Sequence, residues 1–375
     1  MTAGKTYDQA YIKRHNIQRV LNVLDESHSL SRTDLAQITE MSATSITRIV
    51  SALLTLGLVK EVAIASSAGR GRKAIMLEKC PDGIYAAGFH LDTEVLQFCL
   101  IDFESRVHYT SAQPVPESAR TPEALARCAR EMYRGAPANL ACDWRRVRML
   151  GVSVSGMVDY HHGVVKLSDQ MGWRDADLGG AFSSVFGLPV RVENDVKSCL
   201  TGEKMRFGIP PEQDSAYLYV GRAGIGAASI ANERLIRGKD NASGEIEAIS
   251  LGGGDTLDRH LMNRYLMERA ILSEPGVSGV SDIIAAYRQK TGWARMLVSD
   301  FQRHMRLLLN MIDSLLNPCQ IILGGETIHD YGPLLEGILS DRVFPGHDFY
   351  ETCAYGVAII AMQEAVQGML TVEQG

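Results

Sequence analysis

The spacing of apolar residues changes character along the chain, and the changes divide it. Ile17, Val20, Leu21 and Leu24 recur at i, i+3, i+4 and i+7, which predicts an amphipathic helix from about Tyr11 to Asp25. Ser31 stands before RTDLAQIT with Asp34 three residues on, a capping-box-like start to a short helix that buries Leu35 and Ile38. After Glu40-Met41, Ser42 caps a third helix that keeps Ile46, Ile49, Val50, Leu53 and Leu54 to one face and ends at Gly57. The opposite face carries Thr44, Ser45, Thr47, Arg48 and Ser51. Val59 to Ile64 and Ala74 to Leu77 then read as two strands around the tip ASSAGRGRK, a wing.

From Ile84 the pattern turns strand-rich. YAAGFHLDTEVLQFCLIDFESRVHYT predicts three successive strands, followed by a helix over Pro122 to Tyr133 and a buried strand over Val147 to Val154. Strands alternate with helices to the end, the mark of an α/β sheet with crossover connections and a ligand cleft between lobes. At 375 residues the chain exceeds what one core organises. The expected division is residues 1–80 as a winged helix-turn-helix and 81–375 as the α/β body that senses a ligand and oligomerises.

Composition adds exclusions. With 46% hydrophobic and 22% charged residues the chain is ordinary globular protein. It has no apolar run long enough to span a bilayer and no secretory h-region at its start, so a cytoplasmic protein without membrane insertion is expected. Seven scattered cysteines without a CxxC pair read as reduced thiols.

Net charge is −6, which alone argues against nucleic acid, but residues 1–77 hold 10 Lys+Arg against 6 Asp+Glu, or +4, leaving −10 for the rest. Hydroxyls and a guanidinium on a helix face suit phosphate oxygens and base edges in a major groove, and a thin Gly-Arg-Gly-Arg wing suits a narrow minor groove. Arg32, Thr33, Ser42, Thr44, Ser45, Thr47, Arg48, Arg70, Arg72 and Lys73 are therefore the candidate contacts to double-stranded DNA. Each piece alone also reads as solvated surface. Their order is what specifies a DNA-binding module.

Six segments of the body carry a resemblance: GVSVSGMVD (151–159), LSDQMGWRDADL (167–178), VENDVKSC (192–199), GIGAASIANERL (224–235), GEIEA (244–248) and NPCQIILGGE (317–326). In this order and spacing the chain resembles the ROK family of repressors and sugar kinases, and its winged front resembles the repressor branch. The resemblance implies an all-α winged helix-turn-helix joined to an α/β two-lobed, actin-like ATPase (sugar-kinase-like) domain. It implies a repressor of carbohydrate uptake or catabolism genes, controlled by a sugar or related small ligand. The alternative within the same family is an ATP-dependent sugar kinase.

By the same resemblance Asn194 and Asp195 match the family's sugar-binding pair, and Glu245 its sugar-binding glutamate. Gln170 stands near a position where members carry Asn, and Asp258 near the glutamate that ends their zinc loop. A carboxylate beside an amide suits vicinal hydroxyls. Taken alone, Asn194-Asp195 reads rather as a helix cap, and Glu245 also as a helix-start carboxylate; the flanking motif reverses the first preference.

The departures from the family pattern are specific. Ala248 stands where members carry a zinc-binding His, with Glu247 before it in place of Gly, and no cysteine lies between Cys199 and Cys319, so no zinc or other cofactor is expected. The kinases' Asp-x-Gly-Gly-Thr reads Asp92-Thr93-Glu94-Val95, and their Gly-Thr-Gly-x-Gly reads Arg222-Ala223-Gly224-Ile225-Gly226. Lost glycines and an added glutamate oppose phosphate binding, so the expectation is a regulator and not an enzyme. It works as a homodimer or tetramer on a two-fold operator, with a protein partner for the body as a further reading.

Overall fold

A computed structural model describes residues 9–63, 75–137, 140, 142–222, 224–247 and 249–372. Three helices, Gln9–Ser27, Arg32–Thr39 and Ala43–Thr55, come first. Ser31 closes the expected capping box with Asp34, and Ser42 caps the third helix through the Ser45 amide. Gly57, at φ +68°, takes the left-handed turn into the strand Val59–Ala63. That strand pairs with Ile75–Lys79, which also takes up a two-residue strand, Leu30–Ser31, that the apolar pattern is too short to mark.

One core expectation needs correcting. Leu35 is fully buried, but Ile38 is 49% exposed and Thr39 takes the inward place. An eight-residue helix has room for a narrow stripe only. Thr39 pays for its burial by donating its hydroxyl to the Leu35 carbonyl at 2.5 Å. The wing tip with Arg70, Arg72 and Lys73 lies outside the described residues.

The body has two five-stranded sheets. The first runs Val190–Asn194, Val147–Val154, Tyr85–Leu91, Val95–Asp102, Val107–Pro114; its first three strands are parallel and the rest antiparallel. The second runs Arg234–Leu235, Ile225–Ala231, Ser215–Val220, Gln320–Gly324, Val343–Pro345. Between the sheets lie two helices, Asp195–Arg206 and the C-terminal Phe349–Val372, packed on each other. The C-terminal helix is apolar nearly all round because nearly all of it is covered.

This packing depends on glycine. A Cβ at Gly88 would lie 2.0 Å from the Ala354 carbonyl oxygen, and one at Gly356 1.8 Å from that of Ser198. Strand, C-terminal helix and helix Asp195–Arg206 therefore meet backbone to backbone. From there the C-terminal helix runs on into the first core: Met362, Ala365, Val366 and Leu370 share one apolar cluster with Ile17, Val20, Leu21 and Leu24 of the opening helix.

Gly356→Ala is expected to cost about 3 kcal/mol or more, since the methyl meets backbone that cannot turn aside. Gly332→Ala, with nothing within 4 Å of its Cβ, should be near neutral. Thermal unfolding of the two variants beside the parent checks the contrast.

Candidate functional site

In the opening module, Thr44, Thr47, Arg48 and Ser51 fall at i, i+3, i+4 and i+7 and are all exposed, one polar face of the helix Ala43–Thr55. Ser45 is half-buried, its hydroxyl 2.9 Å from that of Ser42, and Thr47 donates to the Ala43 carbonyl at 2.8 Å. These hydroxyls keep lone pairs for an incoming donor. Thr33 is exposed, whereas Arg32 is committed at 2.8 Å to Glu61 on the neighbouring strand.

The second site is an open cavity of about 150 Å³ between the lobes, lined among others by Ser155, Ser168, Gln170, Asn194, Asp195 and Glu245. Asn194 ends a strand of the first sheet and caps the helix behind it, accepting from the Lys197 amide at 3.1 Å. Its Nδ2 donates to the Gly156 carbonyl at 3.1 Å and to Asp195 Oδ1 at 3.0 Å. Cap and binding wall are thus one residue. Asp195 Oδ1 also accepts from the Val196 amide at 2.8 Å.

Asp195 is 4% exposed and takes part in no ion pair among the described residues. The adjacent cations are spent elsewhere. Arg237 and Arg191 hold the buried Glu193, and Lys197 donates to the Asn241 carbonyl at 2.9 Å. Burial, opposed by the Val196 amide and reinforced by the charge of Glu245, pushes the Asp195 carboxyl up to about 7. A carboxyl poised there can accept from or donate to a hydroxyl near neutral pH.

The remaining expected residues divide. Glu245 lines the cavity from its exposed rim. Gln170 lines it too, but its amide donates to Asp92 Oδ2 at 2.5 Å and so ties the wall to the turn Asp92–Glu94. Asp258 is 8% exposed and off the wall, next to Glu247. Asp169, Tyr219 and Glu247 also line the cavity, and of these only Glu247 carried a signal in the sequence, as an acid where the family pattern has Gly.

Two loops, one from each five-stranded sheet, are bridged to each other. Arg222 reaches Glu94 at 2.7 Å across the cleft, Glu326 at 3.3 Å and the Tyr350 hydroxyl at 2.9 Å. Tyr219 and Tyr350 both donate to Glu326. In sequence, Glu94 and Arg222 are visible only as lost loop residues; their pairing across 128 positions is not.

A model of the ROK family matches residues 88–342. The xylose repressor of Bacillus spizizenii is 25% identical over 350 residues, covering 90% of each chain. The DNA-binding transcriptional dual regulator NagC of Escherichia coli is 24% identical over 347 residues, 88% of this chain and 84% of that one. Among solved structures, a ROK family transcriptional regulator homologous to the E. coli Mlc protein superimposes with TM-score 0.77 at 19% identity, covering 96% of this chain and 99% of that one. A ROK hexokinase from Thermus thermophilus gives TM-score 0.60 at 21% identity, covering 78% of this chain and all of its own. The regulator's fold reaches across the N-terminal module. The hexokinase's leaves about a fifth of this chain unmatched.

The Asp195 shift carries a sign. Because the folded state holds this proton up to about pH 7 and the unfolded chain releases it near 3.8, stability falls as pH rises between those values. Asp195→Asn removes that loss, so its melting temperature relative to the parent should climb from pH 4 to pH 8. A difference flat with pH would assign Asp195 an ordinary pKa.

Proposed function

The chain belongs to the ROK family, and on that premise we propose that it is a cytoplasmic DNA-binding transcriptional regulator. In this reading it represses carbohydrate uptake or catabolism genes, and a sugar-like small ligand in the inter-lobe cavity sets its affinity for the operator. The observation that carries the reading is physical continuity. The cavity residue Asp195 opens the helix Asp195–Arg206; that helix packs on the C-terminal helix, and the C-terminal helix shares its core with the opening helices.

A ligand that favours one lobe arrangement therefore moves a rigid element seated under the DNA-reading module. At the junction, Lys79 pairs with Asp25 at 2.5 Å and lies 4.2 Å over the Phe103 ring, tying the last strand of the module to its first helix and to the body. Two such modules in a homodimer or tetramer, spaced by the bodies, fit an operator with approximate two-fold symmetry.

A non-enzymatic role is supported by the bridged loops. Glu94 and Arg222 neutralise each other where a kinase needs open backbone amides and free cations for phosphate. The relatives named xylose repressor and NagC support the same reading. Binding of a protein partner to the body belongs to the proposal as a second input to the same lever.

Fluorescence anisotropy on the protein's own upstream DNA, at stated salt, is the test. Tight, salt-sensitive binding is expected, weakened about tenfold or more by Arg48→Ala or Thr47→Ala and altered by one sugar of a panel. Sugar-dependent ATP turnover by the full chain, with no specific binding to its upstream or neighbouring promoters, would overturn it.

A further inference from the structure

The charge around the cavity is one-sided. Asp169, Asp195, Glu245 and Glu247 all line it, and among the described residues no Lys or Arg does. Among the described residues none of the four takes part in an ion pair, and of their oxygens only Asp195 Oδ1 is engaged, by Asn194 and the Val196 amide. Arg264 and Lys197 act on this group from behind the wall. Asp195 sits at the bottom, buried, while Asp169, Glu245 and Glu247 form an exposed rim.

Within that rim Glu247 stands beside Gly224. Its Oε2 would lie 2.3 Å from a Cβ on Gly224, whose φ of +144° is open to glycine alone. The carboxylate thus lies against Gly224, on the same cavity wall as Gly226. Behind it, Asp258 is 8% exposed and its Oδ1 has no hydrogen-bond partner among the described residues. A buried carboxylate oxygen without a donor is costly, and a second carboxylate beside it adds repulsion.

These carboxylates encircle the cavity and do not converge on a point. Among the described residues, the grouping close enough to share one ion is His260, Asp300 and His304, away from this wall. A bare metal ion would leave most of the rim unserved. An organic cation with several hydroxyls would reach it.

We propose that the effector is an unphosphorylated polyhydroxylated amine, such as an amino sugar with a free ammonium group, and that Glu247 is the residue that selects it. The inference rests on the sugar-binding reading above and narrows it. Hydroxyls of the ligand meet Asn194 and Asp195, as in any sugar site, and the ammonium meets the rim carboxylates at Glu247 and Glu245. Phosphate esters are turned away by the same charges. Replacing a neutral hydroxyl by an ammonium among carboxylates strengthens each hydrogen bond it makes.

Isothermal titration of the full chain tests this with glucose and xylose, glucosamine, 6-amino-6-deoxyglucose, 1-deoxynojirimycin and glucose 6-phosphate. At least one amine is expected to bind about tenfold or more tighter than its hydroxyl counterpart, with glucose 6-phosphate weakest. Glu247→Gln should shrink that amine-to-hydroxyl ratio severalfold, and Glu247→Asp should keep it, which separates lost charge from lost shape. Neutral sugars binding as well as every amine, tight binding of the phosphate ester, a thermal shift from Mg²⁺ or Ca²⁺ alone, or no binding of any amine would each overturn the proposal. Operator anisotropy on the same preparation separates the two failures: DNA binding without an amine effector sinks this inference alone, and absent DNA binding sinks the regulator reading.

Discussion

Everything in this molecule hangs on how closely the C-terminal helix can approach its neighbours. At Gly88 and Gly356 the gap is smaller than one methyl group, so carbonyls and α-carbons touch directly. Contacts of this kind have no soft side chain to absorb displacement, and packed interiors of this density shift as blocks. The first sheet, the helix that starts at Asp195 and the opening helices are therefore coupled through one stiff rod. That stiffness is what would make the inter-lobe cavity relevant to the proposed DNA-reading face some distance away.

Polar groups in the core are arranged to keep the rod apolar. Glu193, wholly buried, takes both Arg191 and Arg237, and Glu203 holds the amide and ring of His347. Those pairs remove charge from the helix layer, as burial requires. Asp195 breaks the pattern. It is as buried as its neighbours and receives an amide hydrogen and an Asn side chain, but no cation. A site that leaves one buried carboxyl without a counter-charge while pairing those around it keeps that group available to something else.

The sequence carried the elements whose physics is local. The Ser31–Asp34 capping box, the stripe of the third helix and the strand Val147–Val154 each follow from residues within one turn or one pleat, and each is found where its pattern placed it. Ile38 shows where local reasoning ends: its spacing fits the stripe, but which of Ile38 and Thr39 turns inward depends on what packs above a two-turn helix. The candidate site divides in the same way. The Asn-Asp pair was legible as part of the cavity only through its family resemblance; by itself it read as a helix cap, which Asn194 also is. The bridge from Glu94 to Arg222 was not legible, since its partners come from different sheets and neither residue type is unusual in a loop. Asp258 was expected on the wall and stands behind it, since its assignment rested on transfer through a loop where this sequence departs from the family pattern.

The two kinds of contact, stiff and soft, have different places in the proposed mechanism. A ligand shifts a conformational equilibrium only by the difference in its affinity for the two states. A few hydrogen bonds and one charge pair supply that difference only if the lobes have a joint weak enough to yield. The glycine-lined core is no such joint, for breaking it would expose backbone that has no other partner. The Glu94–Arg222 contact is one: both side chains are more than half exposed, so water and salt already compete for it, and opening it costs little. Lobe movement would therefore begin at this polar bridge across the cleft mouth, with Tyr350 at the foot of the C-terminal helix hydrogen-bonded to the same arginine. The bridge thus joins the two loops across the cleft and, through Tyr350, connects the cleft to the rod that would carry its state outward.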